Sequence, residues 1–345
     1  MNTTPPPTNE RYGAGWRKET LARLAAERAY FLLQYHSLSE DSLTTVPVVG
    51  DMMFKDVLLH MAAWDAAYTE HFTLVSNGRS ADLHLLAKAD LDQHNNALTQ
   101  SFQHVPLEQA LAACLKERAG FLAALNRMPD AMLHKRLTLP NGERIRPRTW
   151  LRRRFLHDMN HAAELALWRS SQPSRIIYQI GSKPVLRAIF QATRKEFLTL
   201  VDLIPEAERT TKPVCGVWTI KDLAGHLTDW ERVGVDGLRQ LAAGQTPEFD
   251  YEIPDFDAFN NKNAAARVHQ SWDEGWADFT TTRQDLTSLF DELPETALTR
   301  MMPTPWGRTM PAYAWMLVWA GHEHEHAIDV RRALNLRHWP RRLRG

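Results

Sequence analysis

Six histidines recur as two sets of three, with a spacing that suits metal ligation. Each set has one histidine on an early predicted helix and two, four residues apart, on a late one: His60, His157 and His161, then His226, His322 and His326. Residues four apart share a helix face, so each late pair can bind one ion. A third imidazole leaves positions open for water or substrate, as in catalytic metal sites. A single histidine in a bundle is more often a hydrogen-bonded core or surface residue, but the repeated set predicts two metal centres.

The two sets belong to an internal duplication. His60 and Trp64 match His226 and Trp230 at an offset of 166 residues, and the later histidine pairs match at 165. Proline, tryptophan and asparagine positions keep the same register over most of each half, which chance does not produce.

The alignment of the two copies excludes the middle histidine of His322-Glu-His-Glu-His326 from the predicted set of metal ligands. His324 matches Met159 of the first copy and points roughly 200° away from His322 around the helix. We predict that His324 lies at the surface and takes no part in a metal site.

Four acids near the histidines are candidates for supporting or catalytic roles. Asp56 and Asp222 lie one turn before the early histidine, where each could fix its tautomer or simply complement the helix N-terminus. Glu164 and Asp329 follow the second paired histidine by three residues. They are the catalytic candidates, as partners of that histidine or as bases near bound water, although a solvated helix acid is commoner.

Two tryptophans complete the pocket candidates. Trp64 and Trp230 lie one turn after the early histidine, where a core role is commoner than a substrate platform. The asparagine pairs at 95–96 and 260–261 are predicted to cap the third helix of each copy.

The two cysteines give little support for a protein nucleophile. Cys114 is matched by Phe279, which indicates a buried apolar position. Cys215 precedes the second helix of its copy and could lie near the second histidine set, but with no recognisable partner it is interpreted as an ordinary loop cysteine. The absence of a CxxC spacing or a disulfide framework favours a reducing, cytoplasmic compartment.

Composition excludes several classes of partner. The 345 residues include 41 basic and 41 acidic side chains, so net charge indicates neither nucleic-acid nor acidic-membrane binding. No apolar run approaches the roughly 18 residues of a membrane span. The expected partner is a small-molecule substrate.

The predicted fold class is all-α, with two tandem four-helix bundles and almost no sheet. The second helix starts near Asp51 and near Thr219, where a capping box is recognisable, and Pro184 suits a helix start. The third helix spans about 96–128 and 261–293, after long connections (77–90 and 244–255) that predict a crossover.

The predicted domains are a disordered leader (1–15), bundle 1 (16–172), a linker (173–183) and bundle 2 (184–345).

The segment Val217-Trp-Thr-Ile-Lys-Asp-Leu-Ala-Gly-His-Leu-Thr-Asp-Trp230, with the later His322-x-x-x-His326, resembles the DinB/YfiT-like superfamily of metal-binding four-helix bundles. The first copy has Met52-Met53 where the second has Trp218-Thr219, yet keeps all three histidines. The resemblance implies a divalent metal, and thiol-dependent S-transferase or isomerase activity in some members. Related bundles include a hydrolase that detoxifies a genotoxin and domains of sulfoxide synthases. Single-domain members often dimerise, so the tandem chain is expected to be a monomeric pseudo-dimer or a homodimer.

The leading hypothesis is a metal-dependent enzyme acting on small electrophiles through a metal-bound thiolate, with a low-molecular-weight thiol as cosubstrate. The alternatives are a metal-dependent hydrolase that detoxifies a reactive natural product, and a non-catalytic metal- or metabolite-binding stress protein. Imidazole ligands with open positions suit Zn²⁺, Ni²⁺ or Fe²⁺, with up to one ion per domain.

Overall fold

The computed structural model describes residues 14–83, 90–139 and 142–336. Most of the predicted leader, and residues 337–345 of predicted bundle 2, lie outside these residues. Two compact units are present: unit 1 comprises residues 14–35 and 40–177, and unit 2 comprises His36–Ser39 and residues 178–336. The change of unit at residue 177 falls inside the segment predicted as a linker, which contains a short helix.

Unit 1 is built from helices and two short hairpins. Its helices are α1 (Ala14–Leu33), α2 (Glu40–Thr45), α3 (Phe54–Ser76), α4 (Leu91–Ser101), α5 (Leu107–Arg127), α6 (Asp130–His134), α7 (Arg148–Ser171) and α8 (Ser174–Ile177). Strands β1 (Pro47–Val49) and β2 (Met52–Met53) pair antiparallel, as do β3 (Leu137–Thr138) and β4 (Arg144–Ile145). The bundle consists of α1, α3, α5 and α7.

Unit 2 repeats this plan. Its helices are α9 (Lys183–Val201), α10 (Ile220–Ala242), α11 (Phe256–Ala266), α12 (Trp272–Glu292) and α13 (Ala312–Ala333), and one antiparallel hairpin joins β5 (Met301–Pro303) to β6 (Thr309–Pro311). The bundle consists of α9, α10, α12 and α13. The all-α, duplicated fold is therefore confirmed.

The predicted crossover follows from the direction of two packed helices. Lys55, at the start of α3, donates hydrogen bonds to the carbonyls of Phe102 and Gln103, just before α5 begins. Near the other end, the ring of Phe72 packs against Phe121 of α5, with centroids 5.7 Å apart. The two helices thus run in the same direction, and the chain must travel back along the bundle between them.

The predicted third helix is wrong in its extent, since each copy divides it into two helices. Residues 91–101 and 107–127 form α4 and α5 in unit 1, and 256–266 and 272–292 form α11 and α12 in unit 2. Ser271 begins α12 as a new cap, accepting a hydrogen bond from the Glu274 backbone. The asparagines at 95–96 and 260–261 consequently lie inside α4 and α11 and cap no helix.

Other helix starts follow the local sequence. Thr219 caps α10, and the Asp222 carboxylate accepts from the Thr219 backbone N–H at 2.9 Å, which completes the predicted capping box. Pro184 lies in the first turn of α9. Helix α3 begins at Phe54, three residues later than predicted, because the preceding residues form the β1–β2 hairpin.

Large apolar side chains fill the middle of each bundle. Fully buried residues include Phe31, Phe72, Phe121 and Trp150 in unit 1, and Phe197, Phe279, Trp315 and Trp319 in unit 2. In the described part of the chain, no helix combines the length and apolar character that crossing a membrane requires.

Candidate metal centres

The first histidine set converges between α3 and α7. His60 comes from α3, and its Nε2 lies 2.9 Å from Nε2 of His157 on α7. Nε2 of His161, one turn further along α7, lies 3.1 Å from the same atom. Three ring nitrogens therefore face one point, as the spacing predicted.

The second set repeats this geometry between α10 and α13. Nε2 of His226 lies 2.9 Å from Nε2 of His322, and Nε2 of His326 lies 3.0 Å from it. Each cluster could hold a metal ion. The donor set fits a divalent transition metal, since three imidazole nitrogens leave one or more coordination positions free.

Burial keeps the imidazoles of His60, His226 and His322 neutral. Desolvation, followed by the neighbouring histidines, lowers the pKa of His226 to about 2 and that of His322 to about 3. Desolvation is also the main cause that lowers the pKa of His60 to about 3. These rings are uncharged near neutral pH, and a neutral imidazole has the lone pair that ligation needs.

Two of the four candidate acids contact a triad ring directly. A carboxylate oxygen of Glu164 lies 2.7 Å from Nδ1 of His161, and one of Asp329 lies 3.3 Å from Nδ1 of His326. A proton on Nδ1 is then donated to the acid, which leaves the Nε2 lone pair facing the centre of the triad. The geometry supports an orienting role for both acids.

The other two acids accept backbone hydrogen bonds at the first turns of α3 and α10. Asp56 accepts a hydrogen bond from the Met53 backbone N–H at 3.1 Å, and Asp222 accepts from Thr219 in the same manner. Of the two roles left open by the sequence, the structure supports the one at the helix N-terminus.

The two tryptophans lie beside the triads and share one hydrogen-bond pattern. The indole N–H of Trp64 donates to Asn95 at 3.3 Å, and that of Trp230 donates to Asn260 at 2.9 Å. The Trp230 ring also meets the His322 ring edge-on, with centroids 6.4 Å apart. The short helices α4 and α11, which supply the asparagines, therefore fix the aromatic wall of each site.

The structure corrects one sequence interpretation in unit 2, that of His324, and adds a hydrogen-bond partner for Cys215. His324 does face away from the triad, but it is largely buried and contacts the Glu196 carboxylate at 2.6 Å, so it is not a surface residue. Cys215 lies beside the site, where its thiol donates to Asp329 at 3.4 Å. Burial, followed by the hydrogen bond and charge of Asp329, raises the pKa of the Cys215 thiol to about 11. It is therefore protonated and a poor nucleophile.

Sequence reasoning missed a buried ion network beside the triad of unit 1. Asp158 follows His157 in the chain, is fully buried, and accepts from Arg28 at 3.0 Å and Arg118 at 2.7 Å. Asp65 pairs with both of these arginines and with Arg154, at 2.8 to 3.0 Å. Three guanidinium groups thus surround two carboxylates.

Unit 2 has a smaller network at the equivalent positions. Glu323 accepts from Arg194 at 2.7 Å and from Arg283 at 3.0 Å, and Glu231 bridges the same two arginines. Two guanidinium groups here balance two carboxylates. Burial raises the pKa of Glu323, whereas Arg118, Arg28 and Arg154 together overcome burial and lower the pKa of Asp158 to about 2.

The register of the duplication contained a signal for these networks. Arg118 matches Arg283 at the offset of 165, and Asp158 and Glu323 each directly follow the first histidine of a late pair. A charged residue kept in both copies on a predicted bundle helix indicates a buried partner, because unpaired charges are almost never fully buried.

Unit 2 also has an open groove, which two tryptophan rings connect to the second triad. It has a volume of about 540 Å³ and is lined by proline, aromatic and acidic residues between 247 and 254, together with residues 303–307. Trp306 lines it and packs against Trp230 at 6.0 Å between centroids, and Trp230 in turn contacts His322. One indole therefore lies between the groove and the triad.

Comparison with known proteins identifies one family. The model of the DinB superfamily matches residues 23–165 and again residues 189–329. These stretches include all six triad histidines, together with Glu164 and Asp329. No curated protein and no solved structure matches the chain.

Proposed function

Because the chain belongs to the DinB superfamily and brings three imidazoles together in each of its two copies, we propose that it is a metal-dependent enzyme acting on small molecules. The observation that carries the proposal is the convergence of three Nε2 atoms, two of them from residues four apart on one helix. His226, His322 and His326 would hold one divalent ion, and His60, His157 and His161 form the matching set in unit 1.

The proposed reaction class is the one that the family resemblance implies, and the surroundings of unit 2's triad are compatible with it. A bound divalent ion lowers the pKa of a thiol or water that it coordinates. The protein then needs no nucleophile of its own, and the protonated Cys215 thiol is consistent with this. We propose transfer or isomerisation of small electrophiles with a low-molecular-weight thiol as cosubstrate.

The residues of the chain would position these groups. Asp329 holds the His326 ring so that its Nε2 faces the centre. Trp230, held by its hydrogen bond to Asn260, forms an apolar wall next to His322, which suits an apolar substrate part and limits water. The groove lined by Trp306 lies on the other side of Trp230 and is large enough for a small molecule.

The experiment is metal analysis of protein purified without added ions, followed by turnover assays. Bound Zn²⁺, Ni²⁺ or Fe²⁺ that disappears in a His60→Ala/His226→Ala double variant supports the proposal. His324→Ala is the control, because it removes an imidazole from α13, the helix of His322 and His326, without touching the triad. A folded protein that binds no metal would contradict it.

Turnover on a panel of small electrophiles then separates the reaction classes. Activity that needs added thiol supports the S-transferase or isomerase, and activity indifferent to thiol supports the hydrolase. Metal or metabolite binding without any turnover supports the stress-protein alternative. Addition of thiol to Co²⁺-loaded protein tests coordination directly, since a thiolate ligand adds a charge-transfer band to the visible spectrum.

A further inference from the structure

The two triads differ at the residue three positions before the first paired histidine. In unit 1 this residue is Arg154, which is 1 % exposed, and in unit 2 it is Trp319. Nη1 of Arg154 lies 2.9 Å from Nδ1 of His157. A guanidinium group has donors and no acceptor, so Nδ1 of His157 must accept this hydrogen bond with its lone pair.

This hydrogen bond fixes the tautomer of His157. A neutral imidazole carries one proton, and with the lone pair on Nδ1 that proton is on Nε2. Nε2 is the atom that faces the other two histidines, at 2.9 Å from His60 and 3.1 Å from His161. The ring that should supply a lone pair to an ion therefore presents an N–H.

The rest of the first triad accepts that proton. Glu164 lies 2.7 Å from Nδ1 of His161 and so favours the tautomer of His161 with its lone pair on Nε2. The Nε2–H of His157 can donate to that lone pair or to the Nε2 of His60. The three rings of unit 1 are thereby held together by a hydrogen bond, and its proton lies where an ion would bind.

The second triad lacks this restraint. Trp319 packs against Trp315 and Trp230 in the aromatic core. Among the residues that the structure describes, none donates a hydrogen bond to Nδ1 of His322. His322 can thus carry its proton on Nδ1 and present the Nε2 lone pair, as His326 does through Asp329.

The net charge of the buried ion network also disfavours a metal ion in unit 1. The network of unit 1 contains three arginines and two aspartates, and Arg154 is the third arginine. In unit 2, two arginines face two glutamates. An uncompensated positive charge in contact with a ligand disfavours a divalent cation at unit 1 alone.

We propose that the two triads are unequal: unit 2 binds the divalent ion, while Arg154 holds unit 1 in a proton-sharing state with much weaker metal affinity. The inference rests on the proposed metal binding and deepens it by assigning the ion to one copy. Arg154 acts as a positioning residue through His157. Because partners of this kind change metal affinity by about 10–100-fold, a difference of that order between the sites is expected.

The test is a metal titration of the full chain by calorimetry with metal analysis, using Zn²⁺ alone. Wild-type protein is expected to bind one tight equivalent, which His226→Ala removes and His60→Ala leaves unchanged. Arg154→Met is expected to bind two, because Arg28 and Arg118 then balance Asp65 and Asp158 as the arginines of unit 2 do. Arg152→Met is the matched control, since it removes an exposed arginine from the same helix.

Ring ¹⁵N NMR of metal-free wild-type protein tests the tautomer without any substitution. The Nε2-protonated form of His157 is expected. Equal affinity at the two sites of the wild-type chain, or a His157 ring protonated at Nδ1, would overturn this inference and leave the proposed function intact. Absence of metal from both sites would overturn both.

Discussion

Replacing Asp158 with asparagine is expected to destabilise unit 1 strongly. The side chain is fully buried and keeps its shape in the variant, so the change removes charge and little volume. Arg28, Arg118 and Arg154 would then share the single carboxylate of Asp65.

The magnitude follows from the contacts. At about 3 Å and an effective dielectric constant of about 20, one arginine–carboxylate contact gains about 5 kcal/mol. Asp158 makes two such contacts, with Arg28 at 3.0 Å and Arg118 at 2.7 Å, but desolvation offsets most of the gain. Breaking a buried pair and leaving the partner charges costs about 3–5 kcal/mol, and we expect a loss in that range.

Urea unfolding and calorimetry measure the effect. For a unit of this size, about 3–5 kcal/mol corresponds to a fall in melting temperature of about 6–20 °C. Asp82→Asn is the control in the same unit: it breaks a 2.7 Å pair with Arg79 whose side chains are 48 % and 64 % exposed. That surface pair should contribute less than about 1 kcal/mol.

A double variant tests the electrostatic cause. Asp158→Asn combined with Arg154→Met restores the net charge of the wild-type network. It is expected to be more stable than the sum of the single changes predicts, by about 0.5–3 kcal/mol. An Asp158→Asn variant no less stable than Asp82→Asn would refute the reasoning, as would strict additivity with Arg154→Met.

Three further predictions concern packing, capping and pH. Gly237→Ala should lower the free energy of unfolding by about 1–3 kcal/mol, because a Cβ at this position would overlap the buried Trp315 ring. Gly321→Ala, where a Cβ would have nothing within 4 Å, should raise it by about 0.5–1 kcal/mol. Chemical denaturation of the two variants measures both changes. Thr219→Ala should cost about 1 kcal/mol in the same assay, since the cap of α10 is lost, and a neutral result would contradict the capping role. Metal-free protein should lose stability as pH falls below 6.5, because the unfolded chain protonates imidazoles whose folded pKa values are about 2–3. Urea midpoints that stay constant between about pH 7 and 5 would contradict this, and a His60→Ala/His226→Ala variant should show a weaker dependence.

The sequence predicted the triads well because they depend on two robust regularities. Helical spacing places His322 and His326 on one face whatever the details of packing. The duplication then separates a repeated ligand set from an incidental histidine such as His324. Helix boundaries were harder, as the break between α11 and α12 shows: a single helix fits the same apolar pattern until Ser271 and Glu274 are recognised as a cap.

The tautomer of the His157 ring cannot be predicted from sequence spacing. Nothing in the spacing of Arg154 and His157 distinguishes an arginine that faces solvent from one that donates to Nδ1. The distinction depends on Asp65, which comes from α3 and holds the other end of the Arg154 guanidinium at 2.8 Å. Only the packing of α3 against α7 brings the three side chains together.

The buried networks connect fold stability to the choice of ligand site. In unit 2, two arginines and two glutamates are already balanced, so the residue at position 319 is free to be aromatic and to pack against Trp230. In unit 1 the corresponding position is Arg154, which adds to Arg118 and Arg28 in lowering the pKa of Asp158 and whose Nη1 faces His157. One substitution between the copies therefore changes the ion network and the ligand tautomer together. A duplicated bundle can keep all six histidines in register and still offer two chemically different sites.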